Sequence, residues 1–144
     1  MDKGARESIT NFEKGIGDVA ITYENEVLVG QSRGEKYDMV VPRSTILIEN
    51  PVAVVDRYAD KHGVRPAADA FVAFLMGREA QRIFADVGGL RSIDPEVLKA
   101  TAARFPKVTD LFTVEHFGGW STATPAVFGD GGIYTKAITD VQQR

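Results

Sequence analysis

The chain of 144 residues contains no cysteine, only two histidines and a single tryptophan. The absence of cysteine excludes disulfides, thiolate zinc sites, iron–sulfur clusters and cysteine nucleophiles. An excess of positive charge is also lacking, because the formal net charge is -3, and this disfavours binding to nucleic acid or to an anionic membrane surface. No apolar run approaches the roughly 20 residues that a membrane-spanning helix needs. With 44% hydrophobic and 26% charged residues, the composition is typical of one globular domain or of a piece of something larger.

The spacing of apolar residues predicts an α/β chain in which helices predominate. β-branched runs, punctuated by proline and glycine, mark the strands, and apolar residues at helical spacing mark the helices. The predicted strands cover residues 18–23, 39–41, 52–55 and 111–114. The predicted helices cover residues 5–14, 24–30, 67–87, 95–105, 121–128 and 132–141. The sequence Asp94-Pro95 supplies an N-cap and a first-turn proline, which makes the start of one of these helices well defined.

Several residues that could carry chemistry have a simpler structural interpretation. Gly15-Ile16-Gly17 precedes a predicted strand, whereas a dinucleotide-binding glycine motif follows a strand and opens a helix, so we interpret it as a tight turn. Gly129-Asp130-Gly131-Gly132 lacks the spaced oxygen ligands of a calcium loop and is interpreted as a turn before a helix. Trp120 follows two glycines and is expected to anchor packing, and His62 and His116 are expected at the surface. No metal or cofactor is predicted.

The amino end of the first predicted helix is a candidate anion site. The amides of Gly4, Ala5 and Arg6 would have no acceptor within the helix, and the helix dipole adds positive potential there. Because nearly every helix has such an end, this feature alone identifies no ligand. The nearest arrangement to a catalytic pair is Tyr23 with Glu24, which keeps a small α/β enzyme open as an alternative.

Taken together, a series of short motifs resembles the periplasmic sulfate-binding proteins of ABC transporters, which have the type II periplasmic-binding-protein fold. These motifs lie in the family's order over essentially the whole chain. They are Gly4-Ala5-Arg6, Gly15-Ile16-Gly17-Asp18-Val19, Tyr23-Glu24-Asn25-Glu26, Pro51-Val52-Ala53-Val54-Val55-Asp56, Asp94-Pro95-Glu96-Val97, Phe105-Pro106-Lys107, Leu111-Phe112-Thr113-Val114, Phe117-Gly118-Gly119-Trp120 and Phe128-Gly129-Asp130-Gly131-Gly132. The match corresponds to the carboxyl-terminal half of the family's proteins, so the expected fold is a mixed sheet flanked by helices, and the chain is expected to be a fragment.

The resemblance also implies a ligand site. Family members hold sulfate between two lobes through neutral donors only, which suits a fully ionised oxyanion because it needs donors and no acceptors. The resemblance places a backbone donor at Ala5 and a side-chain donor at Tyr23, where the family usually has tryptophan. Arg6 and Glu24 are expected behind these donors, close to the anion without touching it. The donors contributed by the family's other segments are not in this chain.

The resemblance further implies partners and organisation for the parent protein. The expected partners are sulfate or thiosulfate, the membrane subunits of an ABC permease and the missing amino-terminal half, with self-association of the fragment as an alternative and no nucleic acid. Residues 1–23 are expected to be a remnant of the second lobe running into the interlobe hinge, and residues 24–144 the remaining carboxyl-terminal part. The parent is expected to be periplasmic, although the amino terminus shows no secretory signal. An anion-sensing regulatory domain of the same fold is an alternative, and no enzymatic activity is expected.

Overall fold

The computed structural model describes residues 4–143. The described chain forms two compact units. The first unit contains the described residues up to Val40 together with Pro51–Pro106. The second contains Val41–Asn50 and the described residues from Lys107 onward.

The first unit is built from helices that pack in chain order. They are α1 (Ala5–Glu13), α2 (Glu24–Ser32), α3 (Asp56–Lys61), α4 (Arg65–Met76), α5 (Arg78–Asp86) and α6 (Pro95–Thr101), the last continued by a 3-10 turn over Ala102–Arg104. Helix α1 packs against α2, α3 against α4, α4 against α5 and α5 against α6. The core of this unit is small and consists largely of aliphatic side chains. Its buried apolar residues are Ile9, Val27, Val29, Ala59, Ala80, Ala85, Val97 and Phe105.

Local capping signals set the ends of α1 and α6 where the sequence predicts them. The amide of Gly15 donates to Phe12 O at 2.9 Å and that of Ile16 donates to Asn11 O at 3.0 Å, with Gly15 at φ +82°. This pair of bonds closes a helix with a left-handed residue, a conformation that glycine adopts without steric cost. At α6, Asp94 Oδ1 accepts from the amides of Glu96 at 2.9 Å and Val97 at 3.0 Å, and Pro95 occupies the first turn.

A buried glutamine holds the turn between α5 and α6. Gln81 Nε2 donates to Leu75 O at 2.9 Å, while its Oε1 accepts from Ser92 Oγ at 3.1 Å and from the amide of Ile93 at 3.0 Å. Gln81 is only 6% exposed and Ser92 only 5%. A buried amide is tolerated when both its donor and its acceptor are bonded, and each of them is bonded here.

The second unit is a small parallel α/β arrangement. Strand β1 (Ser44–Ile46) pairs with β2 (Asp110–Phe112) in parallel, with Thr45 opposite Leu111. Helices α7 (Trp120–Phe128) and α8 (Ile133–Gln142) follow and pack against each other. The rings of Phe112, His116 and Phe117 contact one another at centroid distances of 5.1–5.6 Å.

The predicted helices are confirmed, except that the one over residues 67–87 is wrong as a single helix, because Gly77 divides it into α4 and α5. Most of the predicted strands are wrong in position. Residues 18–23, 39–41 and 52–55 form neither helix nor strand in the described chain. Strand β1 instead lies three residues beyond the predicted strand 39–41, and β2 overlaps the prediction at 111–114. A strand needs a partner, which local sequence does not reveal. Helix α3, which follows residues 52–55 directly, was not predicted.

Two further predictions are settled by exposure. Trp120 is 67% exposed, so the prediction that it anchors packing is wrong: the ring stands at the first position of α7 rather than in a core. His62 and His116 are both exposed, which confirms their predicted place at the surface.

Among the helices formed by the described residues, none is both long enough and apolar enough to cross a membrane.

Candidate anion site at the start of helix α1

The amino end of α1 is open for a hydrogen-bond acceptor. Gly4 occupies the N-cap in an extended conformation, with φ -178° and ψ 167°, and no side chain caps the helix. Its carbonyl accepts from Ser8 at 3.1 Å, but in the described part of the chain the amides of Ala5 and Arg6 donate to no backbone acceptor. Two unpaired amides at a helix start, reinforced by the helix dipole, suit an anionic ligand.

An ion pair neutralises Arg6, which shares the first turn of α1 with the acidic Glu7. Arg6 Nη2 lies 3.0 Å from Glu26 Oε2, and the Arg6 side chain is 57% exposed whereas that of Glu26 is 11% exposed. The contact has ion-pair distance but not hydrogen-bond geometry at Oε2. Because a buried carboxylate is costly without an opposite charge, Glu26 holds the guanidinium near α2. The amides of α1 are therefore the donors that remain.

Tyr23 occupies in α2 the N-cap position that Gly4 occupies in α1. It is the N-cap residue of α2, with φ -84° and ψ 147°, and it makes no side-chain cap. Its side chain is half exposed, so the phenol can donate to a ligand. Helices α1 and α2 pack against each other in the same unit. The structure thus places Ala5 and Tyr23 at the amino ends of two neighbouring helices, and their assignment as ligand-binding residues stays a prediction.

Glu24 is held by Arg91, which belongs to no motif recognisable in the sequence. Arg91 Nε donates to Glu24 Oε2 at 2.8 Å and Arg91 Nη2 donates to Glu24 Oε1 at 2.7 Å. Arg91 Nη2 also donates to Pro106 O at 2.6 Å, and the guanidinium lies 5.0 Å from the centre of the Phe105 ring. The hydrogen bonds that Arg91 donates to Glu24 raise the pKa of Arg91. This two-point contact fixes the start of α2, directly after Tyr23.

Two small cavities lie in the same unit, and neither includes the predicted ligand-binding residues. One of about 330 Å³ is lined by Ser8, Asn11, Phe12, Ile16, Val19, Ala20 and Ile21. The other, of about 170 Å³, lies between α2, α5 and the 3-10 turn and is lined by Leu28, Val29, Ser32, Ala85, Asp86, Val87, Gly89, Arg104 and Phe105. The candidate anion site is therefore an exposed helix end and not an enclosed pocket. Over residues 4–143, no group of three or more histidine, aspartate or glutamate side chains could hold a metal ion.

Comparison with known proteins identifies the family of this chain. The family model described as bacterial extracellular solute-binding protein matches residues 1–88. The chain belongs to the bacterial extracellular solute-binding proteins. A sulfate-binding protein of Synechococcus elongatus is 48% identical over 100% of this chain and 41% of its own length. A thiosulfate-binding protein of Pseudomonas aeruginosa is 40% identical over 94% of this chain and 42% of its own.

The fold of this solute-binding protein is similar to that of a solved structure. The sulfate-binding protein SubI from Mycobacterium tuberculosis H37Rv superposes with a TM-score of 0.75 at 38% identity, covering 86% of this chain and 42% of that one. The predicted helix-rich α/β fold, as part of a sulfate-binding protein fold, is confirmed. The chain spans about two fifths of the length of the relatives it matches.

Proposed function

We propose that this chain is part of a periplasmic solute-binding protein that captures sulfate, or a related tetrahedral oxyanion such as thiosulfate, and delivers it to an ABC permease. The support comes from the sulfate- and thiosulfate-binding relatives that match the chain over nearly its whole length. The observation that carries the proposal is the uncapped start of α1, where the amides of Ala5 and Arg6 are unpaired in the described chain and the Arg6 charge is paired with Glu26.

The chemistry of the donors favours a fully ionised oxyanion. A backbone amide donates and cannot accept, so a helix start offers sulfate what its four oxygens need. A protonated phosphate would need an acceptor for its hydrogen, which the amides do not supply. In the complete protein the anion would lie between two lobes and the other donors would come from segments outside these residues, with residues 1–23 running into the hinge. Capture is a binding event, and we propose no catalysed reaction.

The affinity of this chain alone is expected to be low. Each charge-assisted hydrogen bond contributes on the order of 1.5–3 kcal/mol, and only Ala5 and Tyr23 are proposed as donors here. A ligand that binds only the native state still raises the unfolding temperature, by an amount that depends on RT ln(1 + [L]/Kd). Thermal unfolding in millimolar sulfate, against chloride at matched ionic strength, therefore detects even weak binding.

Ala5 allows the donor to be removed with little other change. It is the first residue of α1, a position at which proline is favoured because the amide has no partner in the helix. The preceding Gly4 is already extended, as a residue before proline must be. We expect Ala5→Pro to abolish the sulfate-dependent rise in unfolding temperature, and Ala5→Ser, which keeps the amide, to retain it.

A second variant tests the side-chain donor. Tyr23→Phe removes the hydroxyl from a half-exposed ring and leaves the rest of the side chain in place. We expect a smaller sulfate effect in this variant and unchanged unfolding in chloride. If Ala5→Pro and Tyr23→Phe both respond to sulfate as the wild-type chain does, the assigned site is wrong.

A further inference from the structure

Glu26 is a buried carboxylate that the proposed binding chemistry does not use. It lies in the first turn of α2, is only 9% exposed, and has its Oε2 atom 3.0 Å from Arg6 Nη2 on the neighbouring helix. Burying a carboxylate costs free energy unless an opposite charge lies beside it. A neutral side chain of the same size would avoid this cost, so the charge of Glu26 itself requires an explanation.

Glu26 is joined to the starts of both helices that carry the proposed donors. Its backbone amide donates to Tyr23 O at 3.1 Å, within the first turn of α2. Its side chain pairs with Arg6, whose own amide donates to no backbone acceptor among residues 4–143. The charged side chain that Glu26 holds therefore belongs to a residue of the candidate anion site.

The Arg6 side chain has the reach and the freedom to contact an anion at the start of α1. Arg6 is the second residue of this helix, and the side chains of an α-helix lean toward its amino end. The side chain is 57% exposed, so packing does not enclose the guanidinium. Three and four positions further along α1 are Ile9 and Thr10, so the helix offers no second carboxylate there. The contact with Glu26 is therefore what holds the guanidinium at α2.

A guanidinium binds a carboxylate and an oxyanion through the same donors, so the two compete for it. We propose that Glu26 is a positioning residue that limits the affinity of the anion site. Its carboxylate retains the Arg6 guanidinium, and a bound oxyanion then meets the amides of α1 without that charge. The inference rests on the proposed function, because a protein that delivers its ligand to a permease must also release it.

The test removes the carboxylate and leaves Arg6 in place. Glu26→Gln keeps the size of the side chain without its charge, and Glu26→Met also removes the polar group. Both variants should keep the wild-type circular dichroism spectrum, because neither buries an unpaired charge. The 15N-labelled full chain is titrated with sodium sulfate at about 20 mM NaCl, and the amide resonance of Ala5 gives the Kd. We expect both variants to lower the Kd at least about fivefold, since a charge-assisted hydrogen bond is equivalent to about tenfold in affinity or more.

Salt and a second substitution show whether this gain comes from the charge of Arg6. The gain should largely disappear at about 0.5 M NaCl, where the Debye length is only a few ångströms. Adding Arg6→Gln to Glu26→Gln should remove the gain at low salt as well. A merely structural effect of Glu26 would depend on neither change. The matched control is Asp56→Asn, which removes a carboxylate 2.7 Å from Arg65 Nη1 in the same unit and should leave the Kd at the wild-type value.

The outcomes separate this inference from the proposed function. If the wild-type chain responds to sulfate and the two Glu26 variants bind no more tightly, the proposed function stands and the inference is wrong. A gain that survives the addition of Arg6→Gln would also overturn the inference. If the variants respond to sulfate and the wild-type chain does not, the inference is upheld and the proposed function is contradicted. The absence of a response in all of these chains would contradict both.

Discussion

Replacing Gln81 by leucine should destabilise the first unit substantially. The substitution keeps the approximate volume of the side chain but removes three hydrogen bonds, to Leu75 O, Ser92 Oγ and the amide of Ile93. Each bond contributes a net 0.5–1.5 kcal/mol, on the order of 3 kcal/mol in total, and groups left buried without a partner add to the loss. The additional apolar surface of leucine offsets part of this, on the order of 1 kcal/mol.

We therefore expect Gln81→Leu to lower the free energy of unfolding by about 2–4 kcal/mol. Equilibrium urea unfolding followed by far-ultraviolet circular dichroism measures this value. The control is Gln31→Leu, the same chemical change on α2, where the exposed side chain makes one hydrogen bond, from Nε2 to Tyr37 O at 2.9 Å. The control should cost no more than about 1 kcal/mol, since water can replace an exposed partner.

A glutamate at the same position tests which half of the amide matters. Gln81→Glu keeps the acceptor for Ser92 and Ile93 but removes the donor to Leu75 O and buries a charge. Burial should raise the pKa of this carboxyl in the folded state, so the variant should lose stability as pH rises above the carboxyl's unfolded-state pKa of about 4.3.

A Gln81→Leu chain as stable as the wild type would refute the reasoning, because the three bonds would then contribute nothing.

Three further predictions concern the capping, packing and ion pairing of the first unit. Hydrogen bonding to the helix amides of α6 lowers the pKa of Asp94. The stabilisation by this carboxylate is therefore present above its unfolded-state pKa of about 3.9 and is lost as pH falls through its folded-state pKa. The stability advantage of the wild type over Asp94→Asn should accordingly shrink in unfolding curves measured in acid. Gly30→Ala should lower the unfolding temperature, since a Cβ there would lie 1.5 Å from Tyr37 Oη and 2.7 Å from Cζ, and a gain in stability would show that the ring moves aside at little cost. A double-mutant cycle between Glu24→Gln and Arg91→Lys should give a coupling of about 1 kcal/mol, and no coupling would mean that the two-point contact is not formed in solution.

The helices were predictable because their signals are local. Asp94-Pro95 and Gly15 fix helix ends through bonds to residues a few positions away, and the structure shows these bonds. Apolar spacing then identifies the faces that pack. Helix α3 was missed because it directly follows the β-branched run at residues 52–55, and its own six residues hold little apolar pattern.

The strands and the surroundings of the site were less predictable because they depend on distant residues. Whether an extended run pairs is decided by another segment, and at residues 18–23 and 52–55 no partner lies in the described chain. Likewise, Arg91 reaches Glu24 across 67 positions of sequence, and no motif around Arg91 indicates this contact. Only family resemblance points to Ala5 and Tyr23, because an uncapped helix start does not by itself distinguish a ligand site from any other helix end.

The most direct test of the central claim is a sulfate titration of the 15N-labelled chain, followed by the amide resonances of Ala5 and Arg6. We predict that both amides shift progressively in sulfate, that chloride at matched ionic strength does not reproduce the shifts, and that Ala5→Pro weakens the response of Arg6. Resonances that do not move, or that move equally in chloride and sulfate, would contradict the proposal that the start of α1 binds the oxyanion.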